Sequence, residues 1–403
     1  MGPTKGADFP PRLPVASDIP VIQSPYTFHP GSHSKRPFRI VAICLERTLG
    51  DFAKSLCFAA SVKQLFEHAS LAVYFHDDRH YKTTLIKSCP EVDTVIRYDG
   101  DVHMPMEAFD VGWGAPARAP YPEFYEGRFP LADLILTPGM MEQRFLGSFE
   151  QTARLRIPEG KAMALTKRLV DAGVDPDRWF CAVHYREPTY HLRRPDPLRD
   201  IDPKTIQNVT DRIIDELGGQ VVRVGHPGMT PFPPRNEFID LAPLGDSDFM
   251  LQLFAMSRAR FMVASASGPH NCTGALGTPT GAFGCNVPAA VWNPQDARLL
   301  LHLLTPDGDR VSVDLALRRG IYGSVILQEF LRRGYRVQNA SGGEIFGMVK
   351  FMHDQTQDTL GWRTHWYERK VAKTNKFQWP LAETTRCHTL VFPDLAPGRH
   401  LIE

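Results

Sequence analysis

Short apolar runs alternating with helix-length segments constrain this chain more than any other feature. In the amino half, Phe38 to Leu45 (FRIVAICL) reads as a buried strand, and a polar turn from Glu46 to Gly50 follows. Asp51 then stands where a helix N-cap belongs, ahead of an apolar set formed by Phe52, Leu56, Phe58, Val62, Leu65 and Phe66. Leu71 to Phe75 predicts a second strand, Tyr81 to Ile86 a helix, and Thr94 to Arg97 a third strand. Ala132 to Leu136 closes the sheet. Strands that alternate with helices are joined by crossovers, and they build a doubly wound parallel sheet.

The same grammar restarts further on. A helix over Glu159 to Ala172 stops at Gly173, and Phe180 to His184 begins a new set of strands. Pro188 closes that run, and the run is too short for a helix. A helix from Pro203 to Leu217 ends at Gly218-Gly219. Strands are expected at Gln220 to Val224, Phe238 to Leu241, Phe261 to Ala264, Thr280 to Phe283 and Ala289 to Trp292. Ser247 to Met256 is helical, and Ser341 to Glu344 is a capping box that opens a helix from Ile345 to His353. A chain of 403 residues exceeds one ordinary core. The expectation is an α/β protein with two Rossmann-like domains facing a cleft. Its parts would be a Pro-rich arm (1–36), an amino-terminal domain (37–155), a carboxyl-terminal domain (156–356) and a tail (357–403) packing across the domains.

Charge and motifs exclude several functions. Lys plus Arg number 46 against 45 for Asp plus Glu, so no global field favours nucleic acid. The seven cysteines are scattered without a C-x-x-C pair, as reduced core cysteines are. The first 36 residues carry no apolar signal-peptide core, and no run approaches the ~20 apolar residues of a membrane span, so a cytoplasmic protein is expected. There is no P-loop, no G-x-G-x-x-G after a strand and no H-E-x-x-H. His76-Asp77-Asp78 lacks metal-binding D-x-D spacing and reads as a polar turn. No metal and no resident cofactor is expected.

The candidate chemistry lies at the strand ends, because ligands of open α/β sheets bind beyond the carboxyl ends of the strands. His184, Arg186 and Glu187 follow one strand, and a guanidinium there offers a donor fork for phosphate oxygens. The competing reading of Arg186 is a salt bridge that ties the strand end to its neighbour. His184 either meets the ligand or holds Arg186 in place, and Glu187 either binds a sugar hydroxyl or is solvated. Arg223 and Gly225 end another strand, where the glycine allows close backbone approach or simply makes a turn. Ser265, Ser267 and Gly268 precede a helix whose N-terminal N–H groups suit an anion, with His270 and Asn271 one turn on. The same residues also suit an ordinary N-cap.

The series VHYREP, RVGHPG and FMVASASGP, over about residues 180 to 290, resembles a group of bacterial glycosyltransferases with the pattern H-x-R-[ED]-P, R-x-G-[DH]-P and [ST]-x-S-G. The amino half, through Leu49-Gly50-Asp51 after a strand, more loosely resembles heptosyltransferase and fucosyltransferase-like enzymes. The resemblance implies a GT-B architecture, with a nucleoside diphosphate sugar on the carboxyl-terminal domain and an acceptor on the amino-terminal one. It further implies an inverting, metal-independent transfer to a hydroxyl of a glycan, a lipid-linked saccharide or a protein. Arg186, Arg223 and the Ser265–Gly268 turn would hold the diphosphate, and Asp51 would be the general base, with Glu46 as the second candidate. Glu187-Pro188 replaces the second Arg of the fucosyltransferase pattern, so the donor sugar does not carry over. A nucleotide-sugar epimerase and a non-catalytic nucleotide- or sugar-binding protein are the alternatives.

Overall fold

The computed structural model describes residues 37–97, 106–110, 116–120, 129, 131–138, 141, 152–188, 196–285, 292–293, 295–318, 321–322, 327–356 and 388–389. The Pro-rich arm and most of the stretch from 100 to 150 lie outside them.

Two parallel sheets organise the chain, as the alternating pattern requires. The first is built from β1 (Phe38–Cys44), β2 (Ala69–Phe75), β3 (Thr94–Arg97) and β6 (Leu134–Leu136), in the order β3-β2-β1-β6. Helices α1 (Leu49–Lys63) and α2 (His80–Lys87) make the crossovers. A separate hairpin pairs β4 (Met106–Asp110) with β5 (Pro116–Pro120).

Helix α3 (Glu159–Asp171) leads into the second sheet, which contains β7 (Phe180–His184), β8 (Gln220–Arg223), β9 (Phe238–Asp240), β10 (Phe261–Ser265), β11 (Thr280–Cys285) and β12 (Ala297–Leu300). Between them run α4 (Pro203–Leu217), α5 (Phe249–Arg258) and α6 (Gly268–Ala275). A small antiparallel pair, β13 (His302–Leu304) and β14 (Arg336–Gln338), brackets α7 (Val313–Arg318) and α8 (Leu327–Arg332). Helix α9 (Gly342–Gln355) follows, opened by the expected Ser341–Glu344 capping box. The tail contributes β15 (His388–Thr389), which pairs in parallel with β12 and completes the order β15-β12-β11-β10-β7-β8-β9.

Several expected boundaries shift. The N-cap of α1 is Thr48, whose side chain accepts from the Asp51 N–H at 3.4 Å, so Asp51 lies within the first turn. The helix ends before Leu65, which is 67% exposed rather than part of the apolar face. Most of α1 from Gly50 to Val62 is buried, because the helix is packed by the first sheet on one side and α6 on the other. The expected strand from Ala289 lies outside the described residues up to Val291, and Trp292 is a bend.

The order of strands locates the crevices. In the first sheet the chain builds β1, β2 and β3 outward, then returns to lay β6 on the other side of β1. In the second it builds β7, β8 and β9, then returns to lay β10 beside β7. Ligand sites in such sheets open at these reversals. One apolar core joins the two bodies: Ile40, Ala42, Phe52 and Phe75 of the first pack in the same cluster as Phe180, Ala182, Val222 and Met262 of the second. The opposite face of the second sheet, with Cys181, Val183, Val221 and Phe261, packs against residues of α4 and α9.

At the join, the N-termini of α1 and α6 touch through glycines. A Cβ on Gly268 would stand 3.0 Å from Leu49 Cβ and 3.2 Å from the Gly50 nitrogen. A Cβ on Gly50 would stand 2.8 Å from Asn271 Nδ2 and 3.0 Å from Gly268 Cα. Backbone atoms have little room to yield, and overpacking a tight contact costs about 1–3 kcal/mol. Gly268→Ala is therefore expected to lose about 1–3 kcal/mol in urea denaturation. Gly160→Ala, on exposed α3 with nothing within 4 Å of the new Cβ, is expected to gain up to about 1 kcal/mol. Equal effects of the two changes would contradict the glycine contact.

Candidate functional site

Strand parity decides which side chains of β7 and β8 reach the crevice. Side chains alternate across a sheet. His184 and Arg186 share the parity of Phe180 and Ala182, which face the first body. Arg223 shares the parity of Val221 and faces away.

Arg223 is 1% exposed and fully engaged there. Its Nε donates to Asp240 Oδ1 at 3.0 Å, its Nη2 to Asp240 Oδ2 at 2.5 Å, and its Nη1 to Tyr185 Oη at 3.0 Å and to the Thr230 carbonyl at 2.7 Å. Phe232 and Phe238 lie under the guanidinium. Gly225 is occupied too: Gln252 accepts from its N–H at 2.8 Å and donates to its carbonyl at 3.1 Å. Glu187 is buried and accepts from the Thr230 N–H at 2.7 Å and from the Thr230 hydroxyl at 2.5 Å. These three residues hold the turn after β8 together.

The crevice residues gather around the α1–α6 contact. Arg186 is nearly buried at the end of β7, with Nη1 3.4 Å from Asp196 and Nε 3.4 Å from Asp200. Its own N–H donates to Ser265 Oγ at 3.0 Å, which ties the ends of β7 and β10 together. Both ion-pair distances exceed the ~2.7–2.9 Å of a charge-assisted hydrogen bond. His184 donates from Nδ1 to the Val224 carbonyl at 3.0 Å. Burial, opposed by that bond and reinforced by His226, Arg186 and Arg223, pushes its pKa down to about 4, so the ring is neutral.

Ser267 occupies the N-cap position of α6 but does not cap with its side chain. Its hydroxyl donates instead to the Ser265 carbonyl at 2.8 Å. Pro269 has no N–H, and the N–H groups of Gly268 and His270 are first-turn donors without a hydrogen bond among the described residues. His270 is 3% exposed, and its Nε2 has no hydrogen-bond partner among the described residues; nor does the buried Oδ1 of Asn271. Burial, with Arg298 and Lys54 nearby, holds the His270 pKa well below the usual value. Unpartnered buried polar atoms beside an open helix N-terminus fit a bound ligand.

Asp51 lies opposite, its side chain 45% exposed. Lys54 Nζ sits 2.6 Å from Oδ1, and the Thr48 hydroxyl donates to Oδ2. Enclosure pushes its pKa up, but Lys54, Thr48 and the field of Arg199 outweigh this and hold it below the usual carboxylate value. Arg199 belongs to the second body, and its charge acts on Asp51 across the join. Glu46, at the end of β1, accepts from Ser55 Oγ at 2.5 Å.

Lys54 and Arg199, which are outside the residues expected from the sequence, complete the charged set around Asp51. Lys54 was findable, since three positions after Asp51 lie on the same helix face. Arg199, in a charged loop, carries no distinguishing signal. Asp77 and Asp78 face Arg97 and Lys82 respectively, as residues of a polar turn do.

No family model matches the chain, and no curated protein matches it in sequence. Among solved structures it is similar to a glycosyl transferase family 9 protein from Veillonella parvula DSM 2008, with TM-score 0.47 and 14% identity over 81% of this chain and 100% of that one. It is also similar to the ADP-heptose LPS heptosyltransferase II of E. coli, with TM-score 0.48 and 13% identity over 79% and 99%. A UDP-N-acetylglucosamine 2-epimerase gives TM-score 0.32 and 10% identity over 62% and 79%. Likenesses this distant assign no chemistry to the chain.

Arg223→Ala separates structural from ligand roles. Removing one partner of a buried pair costs about 3–5 kcal/mol. A loss of about 3 kcal/mol in denaturation, the lower end because Asp240 is partly exposed, is the expected result. Unchanged stability would contradict the structural assignment.

Proposed function

We propose that this protein is a glycosyltransferase that moves a sugar from a nucleoside diphosphate donor to a hydroxyl of an acceptor. One juxtaposition carries the proposal. The N-terminus of α6, with its unpartnered His270 and Asn271 atoms, packs on the first turn of α1, which carries the carboxylate of Asp51. The first is suited to a leaving diphosphate and the second to an incoming hydroxyl.

The diphosphate would sit against the N–H groups of Gly268 and His270, where the helix dipole favours negative charge. Arg186 would turn from Asp196 and Asp200 to the phosphate oxygens, so the charge of the leaving group is met by this chain's own cations and donors, without a metal. His184 and Ser265 would position the strand ends that carry these groups. Asp51 would accept the proton of the acceptor hydroxyl as that oxygen attacks the anomeric carbon from the side opposite the diphosphate, which inverts the configuration. The acceptor is a hydroxyl on a glycan, a lipid-linked saccharide or a protein.

The test pairs binding with turnover. Nucleoside diphosphates are expected to raise the melting temperature with EDTA present, and the matching nucleotide sugar to be consumed only when an acceptor is present. Asp51→Asn is expected to retain the melting shift while kcat falls by about 10²–10⁴-fold, the usual range for a positioned base. Wild-type turnover in that variant would overturn the assignment of the base. Epimerised donor formed without acceptor would overturn the transferase reading.

A further inference from the structure

Glu46 carries a buried carboxylate oxygen without a hydrogen-bond partner, close to the first turn of α1. It follows β1 directly, at the point where the first sheet reverses its strand order. Ser55 Oγ holds Oε1 at 2.5 Å, and Oε2 is buried without a hydrogen-bond partner. Ser55 lies four residues after Asp51 on α1, so the two share one face of the helix. The hydrogen bond to Ser55 thereby brings Glu46 alongside Asp51. A like charge on Asp51 disfavours ionisation of Glu46.

We propose that Glu46 is a positioning residue for Asp51, the second member of a carboxylate pair that receives the acceptor's proton. This rests on the transferase reading above. Asp51 alone is a weak acceptor, since Lys54 and Thr48 occupy both of its oxygens. A negative charge on Glu46 offsets Lys54 and strengthens Asp51 as a base. In the transfer, the acceptor O–H bond breaks as its oxygen bonds to the anomeric carbon. The bond from that carbon to the phosphate oxygen breaks, and its electron pair leaves with the diphosphate. The proton goes to Asp51, and the charge on Glu46 holds it there.

The surroundings of Glu46 set its titration. Burial is the largest influence and raises its pKa; Ser55 and a backbone bond lower it, Asp51 raises it, and Lys82 lowers it, leaving it at about 7. Those groups come from α1 and α2, and Lys82 is itself paired with Asp78 at 2.7 Å. Cys44 on β1 also faces Glu46, and burial keeps that thiol protonated. Glu46 therefore changes charge within the neutral range, and base strength at Asp51 rises as it ionises.

Two measurements separate this inference from the transferase reading. The first is a pH titration of the full-length protein labelled with ¹³C at the glutamate carboxyls, without substrate. A carboxyl resonance absent from Glu46→Gln is expected to titrate near pH 7 in the wild type. It should move to lower pH in Asp51→Asn, which removes the like charge, and to higher pH in Ser55→Ala, which removes a donor. The second is the pH profile of kcat. The wild type is expected to rise through about pH 7, Glu46→Gln to lack that rise, and Ser55→Ala to shift it upward. A Glu46 resonance among ordinary carboxylates, or one unmoved in Asp51→Asn, would overturn the pairing even with transfer observed. The same inflection in Glu46→Gln as in the wild type would also overturn it. Absence of any transfer would overturn the transferase reading and leave the NMR result to decide the pair.

Discussion

The contact between Gly50 and Gly268 is the constraint on which the rest depends. Both glycines lie in the first turn of a helix, and neither position accepts a Cβ without displacing backbone or Leu49. The contact brings the N-termini of α1 and α6 together, so two positive dipole ends share one small volume. Such an arrangement favours an anion between them. It also fixes the first turn of α1, in which Asp51 follows Gly50, beside the start of α6. The shared core behind the contact, with Phe52 and Cys272 buried in one cluster, keeps the two sheets from parting there.

The second consequence is a division of labour among charged residues that look equivalent in the sequence. Arg186 and Arg223 both end strands, and both precede apparent phosphate-binding turns. Arg223 is consumed by Asp240, Tyr185 and Thr230, while the guanidinium of Arg186 lies 3.4 Å from Asp196 and from Asp200. Glu187 is likewise consumed by Thr230, whereas Glu46 keeps an oxygen unused. Satisfied groups make the scaffold, and unsatisfied ones mark the crevice.

The sheets were legible from the sequence because buried parallel strands are short apolar runs, and crossovers leave helix-length gaps between them. The α4 boundaries follow from Asp202 as N-cap and Gly218 at φ 68°, both readable signals. The site was legible only in part. The ends of β7 and β10 are tied through Arg186 and Ser265, and Gly268 packs beside Gly50, whereas Arg223 faces the other side of the sheet. Its position follows from counting alternation back to Val221, a rule that applies once the strand's inward face is known. Asp51 and Thr48 are both N-cap residue types, and only the backbone shows that Thr48 holds the position. Arg199 depends on how α1 and the loop after β7 meet, a relation between distant segments that no local pattern encodes.

The central claim is that the turn from Ser265 to Asn271 holds a diphosphate across the crevice from Asp51. Backbone hydrogen exchange, followed by mass spectrometry with and without a saturating nucleoside diphosphate, tests it most directly. The account predicts slowed exchange in the peptide that carries the Gly268 and His270 amides, with a weaker effect over 184–188. Slowed exchange confined to other segments, under conditions where binding is shown by calorimetry, would contradict it.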